Sequence, residues 1–537
     1  MSEASTYDYV IVGAGSAGCV LAARLSEDPD VSVCVLEAGP PDTVENIHIP
    51  MVFGSLFKTQ VDWDYSTAPE PFCDGRRIYL PRGKTFGGSS SLNAMIYIRG
   101  NRADYDGWAA GGATGWGYDD LLPYFKRAED HYRGENEHHG AGGPLSVSEG
   151  RSKNPITAAF VDAGRQAGLA LNEDFNAGEQ DGVGLYDLTQ RGGYRCSTAL
   201  AYLHPSMERP NLTVVPYMRA QRVRFDGRRA VGVEGEQLGR VTEFRAEREV
   251  ILSGGAYNSP QLLMLSGVGP AEHLALRQIE LVLDHPQVGQ NLQDHPAAGG
   301  SWTTDQPVSL IVAAMPDTAA QHLEDFMQNG HGPLTSNIGE GGGFIRTRPG
   351  LEAPNAQFHA VPVMFIEEGL TDPPDHGMLL SVCLVKPESR GEVALASADP
   401  TAKPVIRHNY YAAEQDMEDM IAAMRITMEV AGQPALVPFA QTPFEVPASD
   451  SEEDIRAHLR HQTQTIYHPA GTCAIGSVVD AGLRVEGLDA LRVVDASVMP
   501  SVIRGNTNAP TIAIAERAAD LIRGGAPARE EAVAGTQ

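Results

Sequence analysis

Near the start of the chain, apolar runs of strand length alternate with a glycine-rich turn and a helical pattern. Residues 7–12 read Tyr-Asp-Tyr-Val-Ile-Val and lead into Gly-Ala-Gly-Ser-Ala-Gly at 13–18, after which residues 19–25 have apolar positions at helical spacing. A second apolar run, residues 31–36, ends at Glu37. Continuous apolar runs are typical of strands buried on both faces of a parallel sheet. The pattern therefore predicts two parallel strands joined by a helix.

The same strand-to-turn pattern recurs far along the chain. Residues 249–256 form an apolar run that enters a glycine turn, and residues 491–497 form another that passes through Asp495. These distant strand ends predict one nucleotide-binding domain assembled from separated segments. Between them, alternating patterns at 378–385 and 391–395 indicate antiparallel strands, and a helix is predicted over 413–432.

Composition and charge narrow the class of protein. The 537 residues are 42% hydrophobic and 20% charged, as in ordinary globular proteins. The net charge of −28 disfavours nucleic acid and anionic membranes as partners. No apolar run reaches the roughly 18 residues of a membrane span, and residues 1–8 lack a secretory pattern, so we expect a cytoplasmic protein. The 6 cysteines are scattered, which favours reduced thiols and no metal site.

The glycine turn at 13–18 has the residues that a dinucleotide site requires. Gly13 permits a tight turn, Gly15 lets the backbone approach a pyrophosphate, and Gly18 allows close packing of the helix. The helix N-terminus offers free N–H groups to the phosphates, and Glu37 can accept hydrogen bonds from a ribose. We therefore expect a bound dinucleotide, with a glycine turn in an ordinary α/β unit as the alternative.

Several further motifs, taken with this turn, carry a family resemblance. They are GGSSSLN at 87–93, GGAYNSP at 254–260, VGQNLQDHP at 288–296, YHPAGT at 467–472, and the segment around Asn506. From about residue 8 to about residue 524, in this order, the chain resembles the glucose-methanol-choline (GMC) flavoprotein oxidoreductases. Within the family it is most similar to the choline dehydrogenase-like branch, which includes FAD-linked alcohol dehydrogenases.

The resemblance implies a fold of α/β plus α+β class. A discontinuous Rossmann-like FAD-binding domain would be combined with a substrate domain built on an antiparallel sheet. The implied FAD-binding segments are 1–155, 196–299 and 463–523, the substrate segments are 156–195 and 300–462, and the tail 524–537 is predicted to be disordered.

The resemblance also implies how FAD is held. Leu92 stands where covalently flavinylated relatives carry histidine, so non-covalent binding is expected. Phe86 stands where the family usually has Leu, Ile or Val, which we interpret as a packing change. The implied FAD-binding residues are Gly13, Gly15, Ser16, Ala17, Gly18, Glu37, Ala38, Arg82, Gly87, Gly88, Ser89, Asn93, Ala94, Met95, Val223 (facing the adenine), Gly254, Ala256, Tyr467, Asp495, Ala496, Asn508 and Thr511.

The resemblance places His468 and Asn506 in the family's two catalytic positions. Alcohol oxidation needs a base for the hydroxyl proton and a group that holds the developing alkoxide. Histidine suits the first role because its ordinary pKa is near 6.5, and an asparagine amide can donate an N–H without adding charge. Asn508 is expected to cap the last helix, predicted over 512–523, and to border the flavin. His295 is expected to lie away from the catalytic pair, in a structural role.

The resemblance therefore implies an enzyme that oxidises a small alcohol, of primary type, to an aldehyde, with oxygen or another electron acceptor. Further oxidation to an acid, the acceptor and the oligomeric state stay open. Glu340 lies where choline-oxidising relatives place a carboxylate facing the substrate ammonium, so a cationic alcohol is one alternative and a purely structural Glu340 is another. Hydroxynitrile lyases and photodecarboxylases, the non-redox members of the family, are further alternatives. A flavin-binding module without catalysis would predict loss of the catalytic pair, which is intact.

Overall fold

Two sheets of seven strands each form the framework of the molecule. The computed structural model describes residues 5–524, apart from the side chain of Glu368. The predicted disordered tail lies outside the described residues except for Gly524, which ends the last helix with a φ of 73°.

The strands of the two large sheets are labelled in chain order. They are β1 (Ser5–Val12), β2 (Val33–Leu36), β3 (Gly182–Leu185), β4 (Leu212–Val215), β5 (Arg219–Asp226), β6 (Arg229–Gln237), β7 (Arg240–Leu252), β8 (Pro296–Thr303), β9 (Gly341–Ile345), β10 (Ala356–Val361), β11 (Gly377–Leu384), β12 (Thr442–Glu445), β13 (Gln464–Thr465) and β14 (Leu491–Val493). Shorter paired strands lie at Tyr65–Ser66, Tyr79–Leu80, Glu129–His131, Leu145–Glu149, Asp187–Leu188, Gln190–Arg191, Tyr194–Arg195, Val268–Gly269, Leu283–Asp284, Glu392–Ala394 and Val405–Arg407.

The first sheet is mixed and has the strand order β4-β2-β1-β7-β6-β5, with β14 paired to the end of β7. β4, β2, β1, β7 and β14 run parallel, and β6 and β5 extend β7 in antiparallel fashion. The parallel strands end in register with one another, at Val12, Leu36, Val215, Leu252 and Val493. The segments that follow these strands therefore converge at one edge, where ligands bind in such sheets.

The second sheet is antiparallel and has the order β12-β8-β11-β10-β9-β3, with β13 paired to β8. Its middle strands β10 and β11 are buried almost throughout, and the helices Pro155–Gln166 and Glu414–Ala431 pack on the sheet. The antiparallel sheet predicted from the alternation at 378–385 is confirmed, since β11 occupies that region. The predicted strand at 391–395 forms a separate ladder with Val405–Arg407.

Helices pack on both sheets. The predicted helix over 413–432 is observed as α9, and the last helix begins four residues earlier than predicted. α1 and α11 pack together beside the mixed sheet, whereas α9 packs on the antiparallel sheet. The helices are α1 (Ser16–Leu25), α2 (Arg102–Ala110), α3 (Tyr118–Ala128), α4 (Pro155–Gln166), α5 (His204–Ser206), α6 (Gly255–Leu265), α7 (Ala271–Leu276), α8 (Ala319–Asn329), α9 (Glu414–Ala431), α10 (Glu452–Gln462) and α11 (Asn508–Arg523).

Candidate active site

A cavity of about 1160 Å³ runs from the converging strand ends of the mixed sheet to β8, β10 and β11 of the antiparallel sheet. Small-molecule sites are typically about 300–1,000 Å³, so this space can hold a dinucleotide with a substrate beside it. The predicted site residues that line it are Gly13, Gly15, Ser16, Ala17, Glu37, Ala38, Arg82, Gly88, Ser89, Asn93, Ala94, Met95, Gly254, Ala256, Tyr467, His468, Asp495, Ala496, Asn506, Asn508 and Thr511.

The turn between β1 and α1 has the close backbone approaches that its glycines were predicted to allow. Gly13 has a φ of 99°, and a Cβ atom there would lie 2.5 Å from the carbonyl oxygen of Ser253. A Cβ atom on Gly18 would lie 1.9 Å from the carbonyl oxygen of Gly13. α1 begins after Gly15, and no side chain caps its first N–H groups. These groups are free to bind a phosphate at the cavity wall.

Two buried carboxylates mark the same edge of the sheet. Glu37 accepts hydrogen bonds from the backbone N–H groups of Ala14 at 2.9 Å and Gly39 at 2.8 Å. Asp495 accepts one from the N–H of Gly255 at 2.9 Å. Burial raises the pKa of both carboxyls, that of Glu37 to about 7. A carboxylate beside an open glycine turn suits ribose hydroxyls, so the residues present fit the dinucleotide part of FAD.

Three predicted FAD-binding residues, Gly18, Gly87 and Val223, do not line the cavity. Gly18 packs α1 against β1, and Gly87 has a φ of 83°, which turns the chain below the cavity wall. Val223 is buried in the core of the mixed sheet, and its N–H donates to Ser266 Oγ at 2.8 Å. β5 borders the cavity only at its start, near Arg219. The structure therefore corrects the predicted adenine contact of Val223.

His468 and Asn506 lie side by side on the cavity wall. Nε2 of His468 is 3.3 Å from Nδ2 of Asn506. The amide oxygen of Asn506 accepts a hydrogen bond from Nε2 of Gln357 at 3.1 Å, which turns the amide nitrogen towards His468. Because an amide N–H can only donate, Nε2 of His468 is the unprotonated ring nitrogen. The pair therefore presents one proton acceptor and one hydrogen-bond donor at the same point.

His295 contacts His468 directly, which corrects the prediction that it lies away from the catalytic pair. The two Nδ1 atoms are 3.0 Å apart, and the rings are nearly perpendicular at 83°. Since Nε2 of His468 carries no proton, Nδ1 of His468 carries it and donates to Nδ1 of His295. Asp294 fixes the adjacent backbone by accepting from the N–H of His468 at 2.8 Å. His295 therefore accepts the Nδ1 proton of His468 and supports the tautomer in which Nε2 is free to accept one.

Burial governs the charge of this histidine cluster. Loss of hydration lowers the pKa of His468 well below 6.5, and the neighbouring His295 and His359 lower it further. Burial also lowers the pKa of His295 and of His359 to about 4. All three imidazoles are therefore neutral at pH 7, and His468 is ready to accept a proton.

Asn508 has a different role from the predicted helix cap. α11 begins at Asn508 itself, and Thr507 occupies the cap position without a side-chain hydrogen bond to the helix. The side-chain oxygen of Asn508 accepts from Ser16 Oγ at 2.8 Å. Asn508 therefore ties the N-terminus of α11 to the N-terminus of α1 at the cavity wall.

Glu340 does not line the cavity, although its neighbour Gly339 does. One carboxylate oxygen accepts from Ser336 Oγ at 2.6 Å and the other from Thr157 Oγ1 at 2.9 Å. The backbone N–H of Asn154 adds a longer contact of 3.4 Å. The structure therefore corrects the predicted substrate contact, because this buried carboxylate joins α4 to the loop before β9.

Sequence reasoning missed several residues of the cavity wall. His359 on β10 is 5% exposed, and neither of its ring nitrogens has a hydrogen-bond partner within residues 5–524. Phe53 and Phe57 come from a short helical segment, Pro50–Leu56, and the residue after it. His359 lies within a continuous run of buried residues and the phenylalanines lie outside any motif, so no local signal pointed to them.

Asn93 has a fixed orientation in the cavity wall. Its side-chain oxygen accepts from the N–H of Met95 at 3.0 Å and from Nη1 of Arg195 at 2.8 Å. Its NH₂ group is therefore the end left for a ligand. Arg195 is 1% exposed and has no carboxylate within ion-pairing distance in the described part of the chain, and burial lowers its pKa to about 9.

Two further properties bear on the class of site. Among the helices of residues 5–524, none has both the length and the apolar character required to cross a bilayer. Within the same residues, no cluster of three or more His, Cys, Asp or Glu side chains has an arrangement suited to a metal ion. All 6 cysteines are buried and unpaired.

Comparison with known sequences places the chain among flavoprotein oxidoreductases. Two family models, both described as GMC oxidoreductase, match residues 7–297 and 387–515. The chain is 45% identical to mitochondrial choline dehydrogenase of Mus musculus, over 96% of this chain and 89% of the relative. It is 44% identical to alcohol dehydrogenase [acceptor] of Pseudomonas putida, over 96% of this chain and 95% of the relative.

Comparison with solved structures gives the same result for the fold. Pyridoxine 4-oxidase from Mesorbium loti superposes with a TM-score of 0.88 at 32% sequence identity, covering 96% of this chain and 99% of that chain. Formate oxidase superposes with a TM-score of 0.90 at 30% identity, covering 98% and 99%. Both coverages extend over the mixed and the antiparallel sheet together.

Proposed function

The chain belongs to the GMC oxidoreductase family, whose members use FAD to oxidise CH–OH donors, and we propose that it converts a primary alcohol to an aldehyde with His468 as the base. The contact of 3.3 Å between Nε2 of His468 and Nδ2 of Asn506 carries this proposal. An alcohol oxygen placed at this point meets a proton acceptor and a hydrogen-bond donor together. Alcohol oxidation requires that combination.

The chain offers a non-covalent site for FAD. The glycine turn and the α1 N-terminus would hold the pyrophosphate, Glu37 the ribose, and Asn93 and Asn508 the flavin end. Leu92, which lines the cavity, is an aliphatic residue packed with Ile47 and cannot form a bond to the cofactor. FAD, when bound, supplies the oxidant that accepts the hydride leaving the alcohol carbon.

The residues of the pair divide the proton chemistry between them. Nε2 of His468 takes the hydroxyl proton, while its Nδ1–H stays hydrogen-bonded to His295. The Asn506 amide N–H then donates to the substrate oxygen while negative charge develops on it. Because the pKa of His468 is lowered, the ring is neutral at pH 7 and competent as a base.

The intact pair favours oxidation over photodecarboxylation. A photodecarboxylase has no alcohol proton to remove and therefore no need for a histidine base beside an amide donor. A hydroxynitrile lyase is disfavoured by the choline and alcohol dehydrogenases found among the similar proteins. The electron acceptor is either oxygen or a separate carrier.

Anaerobic mixing of the FAD-loaded protein with short alkyl, aryl and choline-type alcohols tests this function. We expect the absorbance of oxidised flavin to bleach with at least one alcohol and an aldehyde to form in equal amount. His468→Gln should retain FAD but slow bleaching by about 10²–10⁴-fold, since it removes the base. His331→Gln, at an exposed histidine, is the matched control and should react normally. Absence of bleaching with every alcohol, or near-normal rates in His468→Gln, would overturn the proposal.

A further inference from the structure

Gln357 holds the end of the Asn506 amide that faces away from His468. It lies on β10 and is fully buried. Its Nε2 donates to Oδ1 of Asn506 at 3.1 Å and to the hydroxyl oxygen of Tyr186 at 3.2 Å. Neither Gln357 nor Tyr186 lines the cavity. Any influence of these two residues on a substrate therefore passes through Asn506.

The hydroxyl group of Tyr186 decides which end of the Gln357 amide faces it. A tyrosine hydroxyl has one hydrogen to donate and two lone pairs with which to accept. Its hydrogen goes to the carbonyl oxygen of Phe358 at 2.5 Å, because a carbonyl can only accept. One lone pair accepts from the backbone N–H of Gly343 at 3.2 Å. The capacity that remains is one lone pair, so Gln357 presents its NH₂ group and not its oxygen.

Packing holds the Tyr186 hydroxyl in this place. Tyr186 is 1% exposed, and its ring centroid is 5.4 Å from that of Phe175. Its oxygen lies against β9, where a Cβ atom on Gly342 would be only 2.2 Å from it. Burial raises the pKa of Tyr186 above its ordinary value of 10, so the hydroxyl keeps its hydrogen. The glycine on β9 therefore leaves the space that this hydroxyl occupies.

These contacts give the hydrogen bonds one direction, from the antiparallel sheet to the base. Gln357 donates to Asn506, and Nδ2 of Asn506 donates to Nε2 of His468. If the Asn506 amide were reversed, its NH₂ group would meet the NH₂ group of Gln357, and two donors would face each other. Its oxygen would then face Nε2 of His468, which would have to carry a proton. The reversed arrangement is therefore unfavourable, and it blocks the nitrogen that has to accept the alcohol proton.

We propose that Tyr186 and Gln357 are positioning residues that fix the hydrogen-bond direction of Asn506 and so keep Nε2 of His468 free to accept the alcohol proton. This inference rests on the proposed alcohol oxidation and adds two residues that act on it from outside the cavity. The direction originates at the carbonyl group of Phe358, a backbone acceptor that cannot become a donor. The antiparallel sheet thus sets the polarity of the site as well as forming part of its wall.

A double-variant cycle tests this inference. The FAD-loaded protein is mixed anaerobically with a saturating alcohol, and the loss of oxidised flavin absorbance gives the rate of reduction. Gln357→Leu removes the donor to Asn506 at similar volume and should slow reduction by about threefold to tenfold, as expected for one hydrogen bond. Asn506→Ala removes the donor to the substrate oxygen and should slow it by about 10²–10³-fold. In the Asn506→Ala protein, Gln357→Leu should change the rate by less than about twofold, because no catalytic amide is left to orient.

Two results of the cycle would overturn the inference. Gln357→Leu might slow the Asn506→Ala protein by the same factor as the unmodified protein, in which case its effect does not pass through Asn506. Alternatively, Gln357→Leu alone might react at the normal rate. The effect should also fall on the limiting rate with little change in KM, since the substrate oxygen gains its charge only in the transition state. A raised KM with a normal limiting rate would contradict the assigned role.

Tyr186→Phe tests the origin of the direction, and Tyr411→Phe is its matched control. Tyr186→Phe removes the acceptor of the Gln357 amide and should slow reduction by about the same factor as Gln357→Leu, with normal FAD content. Tyr411 is also buried, lies outside the cavity lining and is hydrogen-bonded to Thr463 Oγ1 at 2.7 Å, so Tyr411→Phe should react normally. Equal rates in the two variants would contradict the role of Tyr186. If Tyr186→Phe does not fold, the cycle of Gln357 and Asn506 decides alone.

Failure of the two proposals is distinguishable in these experiments. If no alcohol bleaches the flavin of the unmodified protein, the proposed function fails and this inference fails with it. If the unmodified protein is reduced and the effects of Gln357→Leu and Asn506→Ala are independent, oxidation stands and only the positioning role fails.

Discussion

Removal of the His295 imidazole should slow proton transfer to His468 while leaving FAD in place. His295 is fully buried, and its Nδ1 is 3.0 Å from Nδ1 of His468, which leaves room for a single hydrogen between them. His295→Phe keeps a ring of similar volume and removes the acceptor. His295→Asn keeps an acceptor, because its side-chain oxygen takes a position close to that of Nδ1. The two variants therefore separate hydrogen bonding from packing.

The size of the effect follows from the loss of one buried hydrogen bond. In His295→Phe, the Nδ1–H of His468 has no acceptor, which costs about 1–3 kcal/mol. The alternative tautomer, with the proton on Nε2, avoids part of this cost but cannot accept a substrate proton. At about 1.4 kcal/mol per factor of ten, flavin reduction should slow by about 5- to 150-fold.

Anaerobic stopped-flow measurement of flavin absorbance with saturating alcohol gives this rate directly. We expect unchanged FAD content in both variants, a slow His295→Phe protein, and substantial recovery in His295→Asn. In the unmodified protein, the lowered pKa of His468 keeps the base neutral, so the rate should stay flat as pH falls from 8 to 6. A His295→Phe rate within twofold of normal would refute the tautomer reasoning.

Three further predictions concern stability, Glu340 and the cofactor. Burial lowers the pKa values of His295, His359 and His408 to about 4 in the folded chain, whereas an unfolded histidine has a pKa of about 6.5. Between pH 6.5 and pH 4 the unfolded state therefore binds more protons than the folded state. The free energy of unfolding should fall as the pH drops through this range. Thermal unfolding midpoints measure this, and a midpoint independent of pH would contradict it. Glu340→Ala leaves two buried hydroxyls without their acceptor and should lower the free energy of unfolding in denaturant by about 1–3 kcal/mol. The KM for the alcohol should change less than threefold. A much larger rise in KM would show that Glu340 contacts the substrate. Acid precipitation should release the flavin into the supernatant, since Leu92 forms no bond to it, and a yellow pellet would show a covalent link.

The local parts of the fold could be predicted from the sequence. The strand, glycine turn and helix of residues 7–25 follow one another along the chain, so each signal supports the next, and all are observed. The strand near 378–385 could be predicted because its apolar run is long and has strand-forming residues, although its burial leaves no alternation that marks it as antiparallel. The start of α11 was misplaced because Asn508 resembles a helix cap, whereas its oxygen is used by Ser16, which lies 492 residues away.

The errors at the site share one physical cause, which is contact between distant segments. His295 and His468 are 173 residues apart, and no local pattern shows that their rings meet. Glu340 and Thr157 are 183 residues apart in the sequence. The hydroxyl of Thr157 donates to the Glu340 carboxylate and holds it away from the cavity, and no local pattern around Glu340 could show this. Motifs could therefore predict that His468 and Asn506 share one site, which the structure shows, but not the residues that orient them.

The late position of β14 in the chain has a consequence for biosynthesis. β14 pairs with β7 and brings Asp495 to the edge begun by β1, and His468 and Asn506 also come from the C-terminal part of the chain. A ribosome adding about 5–20 residues per second needs roughly half a minute to a minute and a half to pass from β1 to β14. During that interval the edge of β7 at its C-terminal end is uncovered and the cofactor cradle is incomplete. An uncovered strand edge can pair with other chains, so we expect this stage of synthesis to be prone to aggregation and a chain truncated before residue 491 to lack flavin.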